Sequence, residues 1–228
     1  MFSSLIVIFP LLLTALPALS TPAPTSPCAA VHIIAARAST EPAGAGIIGA
    51  LVQQIQNASR QTVSTSSVSY PATLTNYPSS SAAGTAATKT LLTNQANNCP
   101  DQKIVLVGYS QGAHIIGDAV AGGGGGLLGA QTSPVSATIA NRVVAMIQMG
   151  DPRHVPFQSF DRGTSLRDGL YPRLSSQQYS STLQSRTQSF CDFGDPFCDG
   201  GLLTTVHLTY LDRYQDDAAE FVLDRIGG

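Results

Sequence analysis

A serine between two glycines, at the point where one hydrophobic pattern gives way to another, constrains this chain more than any other feature. Residues Ile104 to Val107, continued by Tyr109, form an apolar run typical of a strand that is buried on both faces. From Gln111 onward, apolar residues recur at helical spacing. We therefore predict that Ser110 lies in a sharp turn between a strand and a helix, where a serine hydroxyl can become a nucleophile.

Strand-like apolar segments recur along the chain. They cover residues 31–36, 68–70, 103–109, 143–149 and 187–190. Helical patterns lie between them, and this alternation implies right-handed crossovers and a mostly parallel sheet covered on both faces. We predict an α/β fold, an αβα sandwich with a five-stranded parallel sheet. Residues 150–184 form a long irregular stretch, and such a loop in a compact domain is often functional.

Length and charge limit the class of protein. The 228 residues suffice for one domain with a sizeable core. Only 11% of the residues are charged and the net charge is −2, so nothing predicts nucleic acid or an anionic membrane as a partner. We expect a monomer that acts on an uncharged substrate.

The first twenty residues predict a secretion signal. Residues 5–13 are almost wholly apolar, too short a run for a transmembrane helix, and Ala18-Leu19-Ser20 supplies small residues for a signal peptidase. The start lacks Lys and Arg, and the alternative is a buried core helix. We predict a signal peptide over 1–20, a short Thr/Pro/Ser leader over 21–27, one domain over 28–228, and a secreted, extracellular protein.

The oxidising secretory route makes the four cysteines interpretable, because an even number favours disulfides over metal binding when no C-x-x-C pair is present. Cys191 and Cys198 are close enough in sequence to close a local loop. Cys28 and Cys99 each precede a predicted strand, so in a parallel sheet they lie at the same edge. Of the three possible pairings we therefore predict Cys28–Cys99 and Cys191–Cys198. Asn57 begins the one glycosylation sequon.

A nucleophilic serine needs a base, and the chain has four histidines. His32 lies inside a predicted strand and is expected to be a packed residue. His114 lies one helical turn past the serine and is expected to point away from it. His154, in the long loop, stays an alternative. His207 follows late in the chain and completes the order serine, acid, histidine, so it is the favoured base.

Two aspartates compete as the residue that orients this base. Asp151 directly follows a predicted strand, at the same sheet edge as Ser110. Asp195 lies in a loop bounded by Cys191 and Cys198, where a disulfide would hold a carboxylate rigidly. We favour Asp195 and keep Asp151 as the alternative, since either could complete a triad of this order.

Several motifs together resemble those of the cutinase and acetylxylan esterase family. They are Cys99-Pro100, the segment 103–112, Met149-Gly150-Asp151-Pro152, the pattern C-x-x-x-D-P-x-C over 191–198, His207, and Ala36-Arg37-Ala38-Ser39-Thr40-Glu41. The similarity covers essentially the whole predicted mature chain and lies nearer to the acetylxylan esterase branch. It implies a small α/β-hydrolase fold, a single catalytic esterase domain over 28–228, and a reaction that needs no metal or cofactor.

The resemblance also implies roles for individual residues. Ser110, Asp195 and His207 match the catalytic triad, and both predicted disulfides match family positions. The oxyanion hole would be formed by the backbone N–H groups of Ser39 and Gln111, with the Ser39 hydroxyl as a further candidate donor.

One position departs from the family pattern. Acetylxylan esterases of this family carry a cysteine at the position of Ser165, bonded to another cysteine downstream, and this chain lacks both. We therefore expect the long loop to be less constrained here.

These features favour a serine esterase that acts on esters of plant cell-wall polymers, or on small esters, without a nucleic-acid or membrane partner. The glycine run 122–126 and Gly150-Asp151-Pro152 resemble acetylxylan esterases, whereas Gly200-Gly201-Leu202-Leu203 and Val206 resemble the apolar rim of cutinases. We expect acetylated xylan as substrate, with cutin polyester as the alternative. A further alternative is a non-catalytic relative that only binds polysaccharide.

Overall fold

A computed structural model describes residues 28–227 of the chain, and within them the strands form one parallel sheet. The strands are β1 (Val31–Ala36), β2 (Val63–Ser67), β3 (Lys103–Tyr109), β4 (Val143–Met149), β5 (Asp161–Arg162) and β6 (Thr187–Phe190). Their order across the sheet is β2-β1-β3-β4-β6-β5. The apolar strands β1, β3 and β4 lie in the interior and are buried on both faces, as their continuous hydrophobic runs predict.

Helices cover both faces of this sheet. They are α1 (Gly49–Ala58), α2 (Tyr77–Asn98), α3 (Gln111–Ala121), α4 (Ala137–Ala140), α5 (Ser181–Gln184), α6 (Thr204–Leu208) and α7 (Tyr210–Ile226). Short 3₁₀ turns are formed by Gly46–Ile48, Gly126–Leu128 and Ser175–Gln177. No helix among residues 28–227 is long and apolar enough to cross a membrane.

The core consists of two hydrophobic layers, one on each side of the sheet. On one side, Leu51 of α1 and Val222 of α7 pack with every second residue of the strands, such as Val105. On the other side, Leu92 of α2 and Ile115 of α3 pack with the alternate residues, such as Leu106. This is the predicted αβα sandwich, and it places the loops after the strands at one edge, where α/β proteins bind ligands.

The sheet has six strands rather than the predicted five. The additional strand, β5, is a two-residue segment within the long loop and pairs with β6 at the edge of the sheet. So short a segment carries no periodic signal in the sequence, and only its pairing defines it as a strand.

The second strand lies earlier in the chain than predicted. The prediction at 68–70 rested on the apolar residues Val68 and Tyr70, but the structure places β2 over Val63–Ser67. Because β2 is an edge strand, polar residues are tolerated there, and Ser64 and Ser66 bind both ring nitrogens of His32 at 2.8 and 2.9 Å. His32 is therefore a packed strand residue, as expected.

The structure contains both predicted disulfides, Cys28–Cys99 and Cys191–Cys198. Asn57 is exposed near the end of α1, and its glycosylation stays a prediction. The predicted signal peptide and leader, residues 1–27, lie outside the described residues.

Candidate active site

Ser110 occupies the sharp turn between β3 and α3, with the unusual backbone angles φ 54° and ψ −119°. The flanking glycines are required sterically. A Cβ on Gly108 would lie 2.5 Å from the Gly112 carbonyl oxygen, and a Cβ on Gly112 would lie 2.0 Å from the Ala36 carbonyl oxygen. The Ser110 N–H donates to the Met149 carbonyl at 2.7 Å, which ties the turn to the end of β4. Positive φ at a non-glycine residue is a strain typical of functional sites.

His207 lies in α6 and contacts Asp195 of the disulfide-closed loop. Its Nδ1 lies 2.8 Å from Oδ2 of Asp195, whose side chain is fully buried. The other carboxylate oxygen, Oδ1, accepts the backbone N–H groups of Phe197 at 2.7 Å and Cys198 at 3.1 Å. The Cys191–Cys198 bridge closes this loop, so the carboxylate is held by its own backbone.

These contacts keep Asp195 ionised. Burial alone would raise the pKa of Asp195, but the hydrogen bond and charge of His207, the Phe197 N–H and the Tyr210 hydroxyl together lower that pKa below its ordinary value. An ionised carboxylate can only accept hydrogen bonds, so the proton of the contact is on Nδ1 of His207. In the tautomer that carries its single proton on Nδ1, Nε2 is the proton acceptor.

Ser110 and His207 line one cavity of about 380 Å³. Its other walls are mainly apolar and include Leu74, Tyr77, Leu170, Tyr171, Phe197 and Leu208. Among the described residues no hydrogen bond joins the Ser110 hydroxyl to His207, and bonds of this kind often tighten only when substrate is bound. The structure thus brings the predicted nucleophile, base and acid to one place.

Ser39, the first predicted oxyanion-hole residue, also lines the cavity. Its hydroxyl donates to Oε1 of Gln111 at 2.9 Å, which joins the loop after β1 to the start of α3. The backbone N–H groups of Ser39 and Gln111 have no backbone acceptor within residues 28–227. Both N–H groups are therefore free to bind an anion.

Two charged residues next to Ser39 hold its loop in place. The buried guanidinium of Arg37 donates to the carbonyls of Glu41 at 2.9 Å and Val68 at 3.2 Å. The Glu41 carboxylate accepts the N–H groups of Ala38 at 2.6 Å and Ile47 at 2.7 Å. Arg37 and Glu41 therefore fix the position of the Ser39 backbone beside the cavity.

Asp151, the alternative acid, is directed away from His207. Its carboxylate accepts hydrogen bonds from Gln148 Nε2 at 2.8 Å and from the Arg153 N–H at 2.9 Å, and it lies 3.6 Å from Arg173 Nη2. Among the contacts of the described residues, Asp195 is thus the aspartate that reaches the histidine.

The remaining histidines also have other partners. His114 is buried, with Nε2 at 3.0 Å from Asp118 and Nδ1 at 3.0 Å from the Tyr77 hydroxyl. His154 is buried with Nδ1 at 3.7 Å from Asp161. Both point away from Ser110 into polar clusters, as the sequence predicted for His114.

Sequence reasoning overlooked two tyrosines at this site. The Tyr210 hydroxyl donates to Asp195 Oδ2 at 2.8 Å, and the Tyr109 hydroxyl donates to the His207 carbonyl. Their only sequence signals are a tyrosine at the end of the nucleophile strand and another three residues after His207, and neither pattern is specific. Contacts across the fold define their roles.

The chain is similar to known proteins over most of its length. The cutinase family model matches residues 27–226. An acetylxylan esterase from Hypocrea jecorina is 34% identical over 86% of this chain and 67% of that protein, and cutinase 11 from Verticillium dahliae is 32% identical over 87% and 70%. The catalytic core domain of acetyl xylan esterase from Trichoderma reesei superposes with a TM-score of 0.81 at 32% identity, over 87% of this chain and all of that domain. The chain therefore belongs to the cutinase family and is a carboxylic ester hydrolase.

Proposed function

We propose that the protein is a secreted serine esterase that removes acetyl groups from acetylated xylan. Ser110 is the nucleophile, His207 the general base and Asp195 the orienting acid. The observation that carries the proposal is the contact of His207 Nδ1 with the buried Asp195 carboxylate, beside a cavity that Ser110 also lines. A serine hydroxyl is a poor nucleophile at neutral pH, and such a pair of side chains activates it.

In the proposed mechanism, Nε2 of His207 takes the hydroxyl proton as Ser110 Oγ attacks the ester carbonyl carbon. Asp195 stabilises the resulting imidazolium. The imidazolium then gives its proton to the departing alcohol oxygen, and the acyl group stays on Ser110. A water molecule, deprotonated by His207, hydrolyses this acyl-enzyme and restores the serine.

The developing oxyanion would accept the backbone N–H groups of Ser39 and Gln111. The Gln111 N–H also lies at the first turn of α3, where the helix carries partial positive charge. Loss of one donor in such a hole typically costs about 2.7–4 kcal/mol of transition-state stabilisation. We give the Ser39 hydroxyl no part in it, because its hydrogen is donated to Gln111.

Two observations support acetyl as the acyl group. The relative at 34% identity and the solved domain with a TM-score of 0.81 are both acetylxylan esterases. The cavity, at about 380 Å³, is near the lower end of the range for small-molecule sites, which suits a short acyl group. Secretion is supported by the two disulfides, which form and persist in oxidising compartments.

The alternative substrate, cutin polyester, is supported by the exposed apolar residues at the mouth of the cavity. Leu74 and Leu208 line the cavity and are 54% and 59% exposed. Each methylene of a longer acyl chain that such residues bury could contribute about 0.8 kcal/mol. A cutinase would therefore show kcat/KM that rises with acyl length.

The test is a series of p-nitrophenyl esters from acetate to palmitate, together with acetate release from acetylated xylan. We expect kcat/KM to be highest for short acyl groups and acetate to be released from the polymer. A maximum at butyrate or longer, with no acetate released, would assign the protein to the cutinases. A folded protein that hydrolyses none of these esters would instead be a binding relative.

The matched control is Ser110→Ala, which removes only the nucleophile. We expect it to abolish hydrolysis of p-nitrophenyl acetate while the circular dichroism spectrum stays that of the wild type. An organophosphate should label Ser110 stoichiometrically in the wild type alone. Activity of the variant within tenfold of the wild type would contradict the proposed triad.

A further inference from the structure

Tyr210, at the first position of α7, binds the same carboxylate oxygen as the proposed base. Oδ2 of Asp195 lies 2.8 Å from Nδ1 of His207 and 2.8 Å from the Tyr210 hydroxyl oxygen. The Tyr210 hydroxyl also accepts the backbone N–H of Asp192 at 2.9 Å and lies 3.2 Å from Sγ of Cys198. Tyr210 is fully buried, so its hydroxyl is held among these partners without solvent.

The direction of each hydrogen bond follows from the chemistry of the partners. The Asp192 N–H can only donate to the Tyr210 oxygen, and the ionised Asp195 carboxylate can only accept. Burial, with Asp195 as the next cause, raises the pKa of Tyr210 far above its ordinary value, so the hydroxyl keeps its proton. The Tyr210 O–H therefore points at Asp195 Oδ2.

We infer that Tyr210 is a positioning residue that tunes the proposed base through Asp195, an inference that rests on the function proposed above. The Tyr210 hydroxyl donates to the same oxygen, Oδ2 of Asp195, as Nδ1 of His207. This hydrogen bond holds Oδ2 in position for Nδ1 and partly neutralises the negative charge of Oδ2. The carboxylate then stabilises the imidazolium less strongly than it would with His207 as its sole partner on that oxygen. Without the Tyr210 hydroxyl, Oδ2 would be a stronger acceptor for Nδ1 and would favour the imidazolium, which cannot accept the serine proton.

Other charged or titratable groups surround this pair. The Tyr109 hydroxyl of β3 donates to the His207 carbonyl, and Arg213 of α7 donates to Asp192 and to the Val206 carbonyl. Asp199 accepts the Gly194 N–H within the same disulfide-closed loop, and Asp212 lies near Tyr109. Of these side chains, only Tyr210 binds the carboxylate oxygen that Nδ1 of His207 also contacts. Removal of the Tyr210 hydroxyl therefore acts on the base most directly.

The test compares Tyr210→Phe with Tyr214→Phe. Tyr214 lies one turn further along α7, and its hydroxyl also donates to a carboxylate, Oδ1 of Asp192 at 2.9 Å, which does not contact His207. For Tyr210→Phe we expect the acidic limb of the plot of kcat/KM against pH, measured with p-nitrophenyl acetate, to move to higher pH by about half a pH unit. On that limb kcat/KM then falls about threefold, whereas the plateau and KM change little.

Tyr214→Phe should leave the limb where it is in the wild type. A loss of activity that is independent of pH, or that Tyr214→Phe matches, would reduce Tyr210 to a packing role and overturn the inference. Absence of esterase activity in the wild type would instead contradict the proposed function. The two failures are therefore distinguishable.

Proton NMR of the Ser110→Ala protein, with and without Tyr210→Phe, gives a readout that needs no turnover. Because both protons point at one oxygen, we expect a slowly exchanging Tyr210 hydroxyl proton with a nuclear Overhauser effect to the His207 Nδ1 proton. In Tyr210→Phe the Nδ1 proton should move to lower field, since Oδ2 becomes a stronger acceptor. Absence of the Overhauser effect, or an unchanged Nδ1 resonance in a folded variant, would contradict the inference.

Discussion

The Ser165 hydroxyl donates to Oδ1 of Asp199 at 2.6 Å and so joins the long loop to the residue that follows the Cys191–Cys198 bridge. Arg167 strengthens this connection, with Nη2 at 3.0 Å from Oδ2 of Asp199. The resemblance to acetylxylan esterases leads us to expect a disulfide-bonded cysteine at this position, where the chain has Ser165 instead. The chain that lacks this cysteine thus ties its loop here with a charge-assisted hydrogen bond.

Ser165→Ala should test how much this bond contributes. We expect the free energy of unfolding to fall by about 1.5–3 kcal/mol, the usual value for a hydrogen bond to a charged group, as measured by urea denaturation. The matched control is Ser159→Ala in the same loop, whose exposed hydroxyl donates to Gln184 at 3.1 Å. Equal losses in the two variants would show that Asp199 does not anchor the loop.

Exchange of each aspartate for asparagine should separate the two candidate acids. Asp195→Asn should lower kcat by a factor on the order of 10⁴, because an amide no longer holds His207 in the productive tautomer. Asp151→Asn should mainly lower stability, because it removes a charge facing Arg173 and an acceptor for Gln148. Steady-state kinetics with p-nitrophenyl acetate measures both, and the reverse ranking would make Asp151 the acid.

The two disulfides should differ in what their loss affects. Replacing Cys191 and Cys198 by alanine removes a short loop closure worth about 2.5 kcal/mol but releases the loop that holds Asp195, so kcat should fall in a protein that still folds. Replacing Cys28 and Cys99 removes a closure worth about 4 kcal/mol far from the carboxylate, so stability should fall more than kcat. Thermal unfolding and kinetics on both variants check this difference.

Acid should destabilise the fold through Asp118, which is buried against Arg153 at 3.2 Å and Arg173 at 2.9 Å. Burial alone would raise the pKa of Asp118, but His114, Arg173 and Arg153 prevail and lower it from 3.8 to about 2. A lowered folded-state pKa contributes stability that is present above pH 4 and is lost as the pH falls toward 2, here on the order of 2 kcal/mol.

Urea unfolding of the wild type between pH 6 and 2 measures this loss. Asp195, whose pKa is also lowered, adds to it in the same direction. Asp118→Asn should unfold at lower urea concentration at pH 6 and lose less stability between pH 4 and 2. A variant with the same pH dependence as the wild type would contradict the assignment to Asp118.

Local patterns predicted the parts of the site that depend on neighbouring residues. The strand before Ser110 and the helix after it are read from contiguous periodicity, and the glycines on either side follow from the strained turn. The order serine, aspartate, histidine could also be read along the chain, and the loop closed by Cys191 and Cys198 favoured Asp195, but Asp151 stayed an alternative. Asp151 directly follows one predicted strand, and Asp195 lies in a loop that follows another. Spacing along the chain alone does not show which of the two carboxylates faces His207.

Packing between segments that are distant in sequence decided which face of each helix is buried. In α2, Gly84 and Thr88 are buried where this helix lies close to α3, although neither residue is part of an apolar pattern. A Cβ on Gly84 would lie 2.8 Å from Ile115, so small residues are needed there although they give no hydrophobic signal.

The sequence by itself determined the α/β class, the nucleophile turn and the Cys191–Cys198 loop, because each depends on periodicity or spacing within a short stretch of chain. The Cys28–Cys99 bridge, whose cysteines are 71 residues apart, was predicted by placing both cysteines at one edge of the predicted parallel sheet. Only the tertiary structure decided that Asp151 faces Arg173 while Asp195 faces His207, and that Tyr210 shares the Asp195 oxygen. These contacts join residues from separate elements, and a hydrogen bond depends on distance and direction that exist only once the sheet, α6 and α7 have packed together.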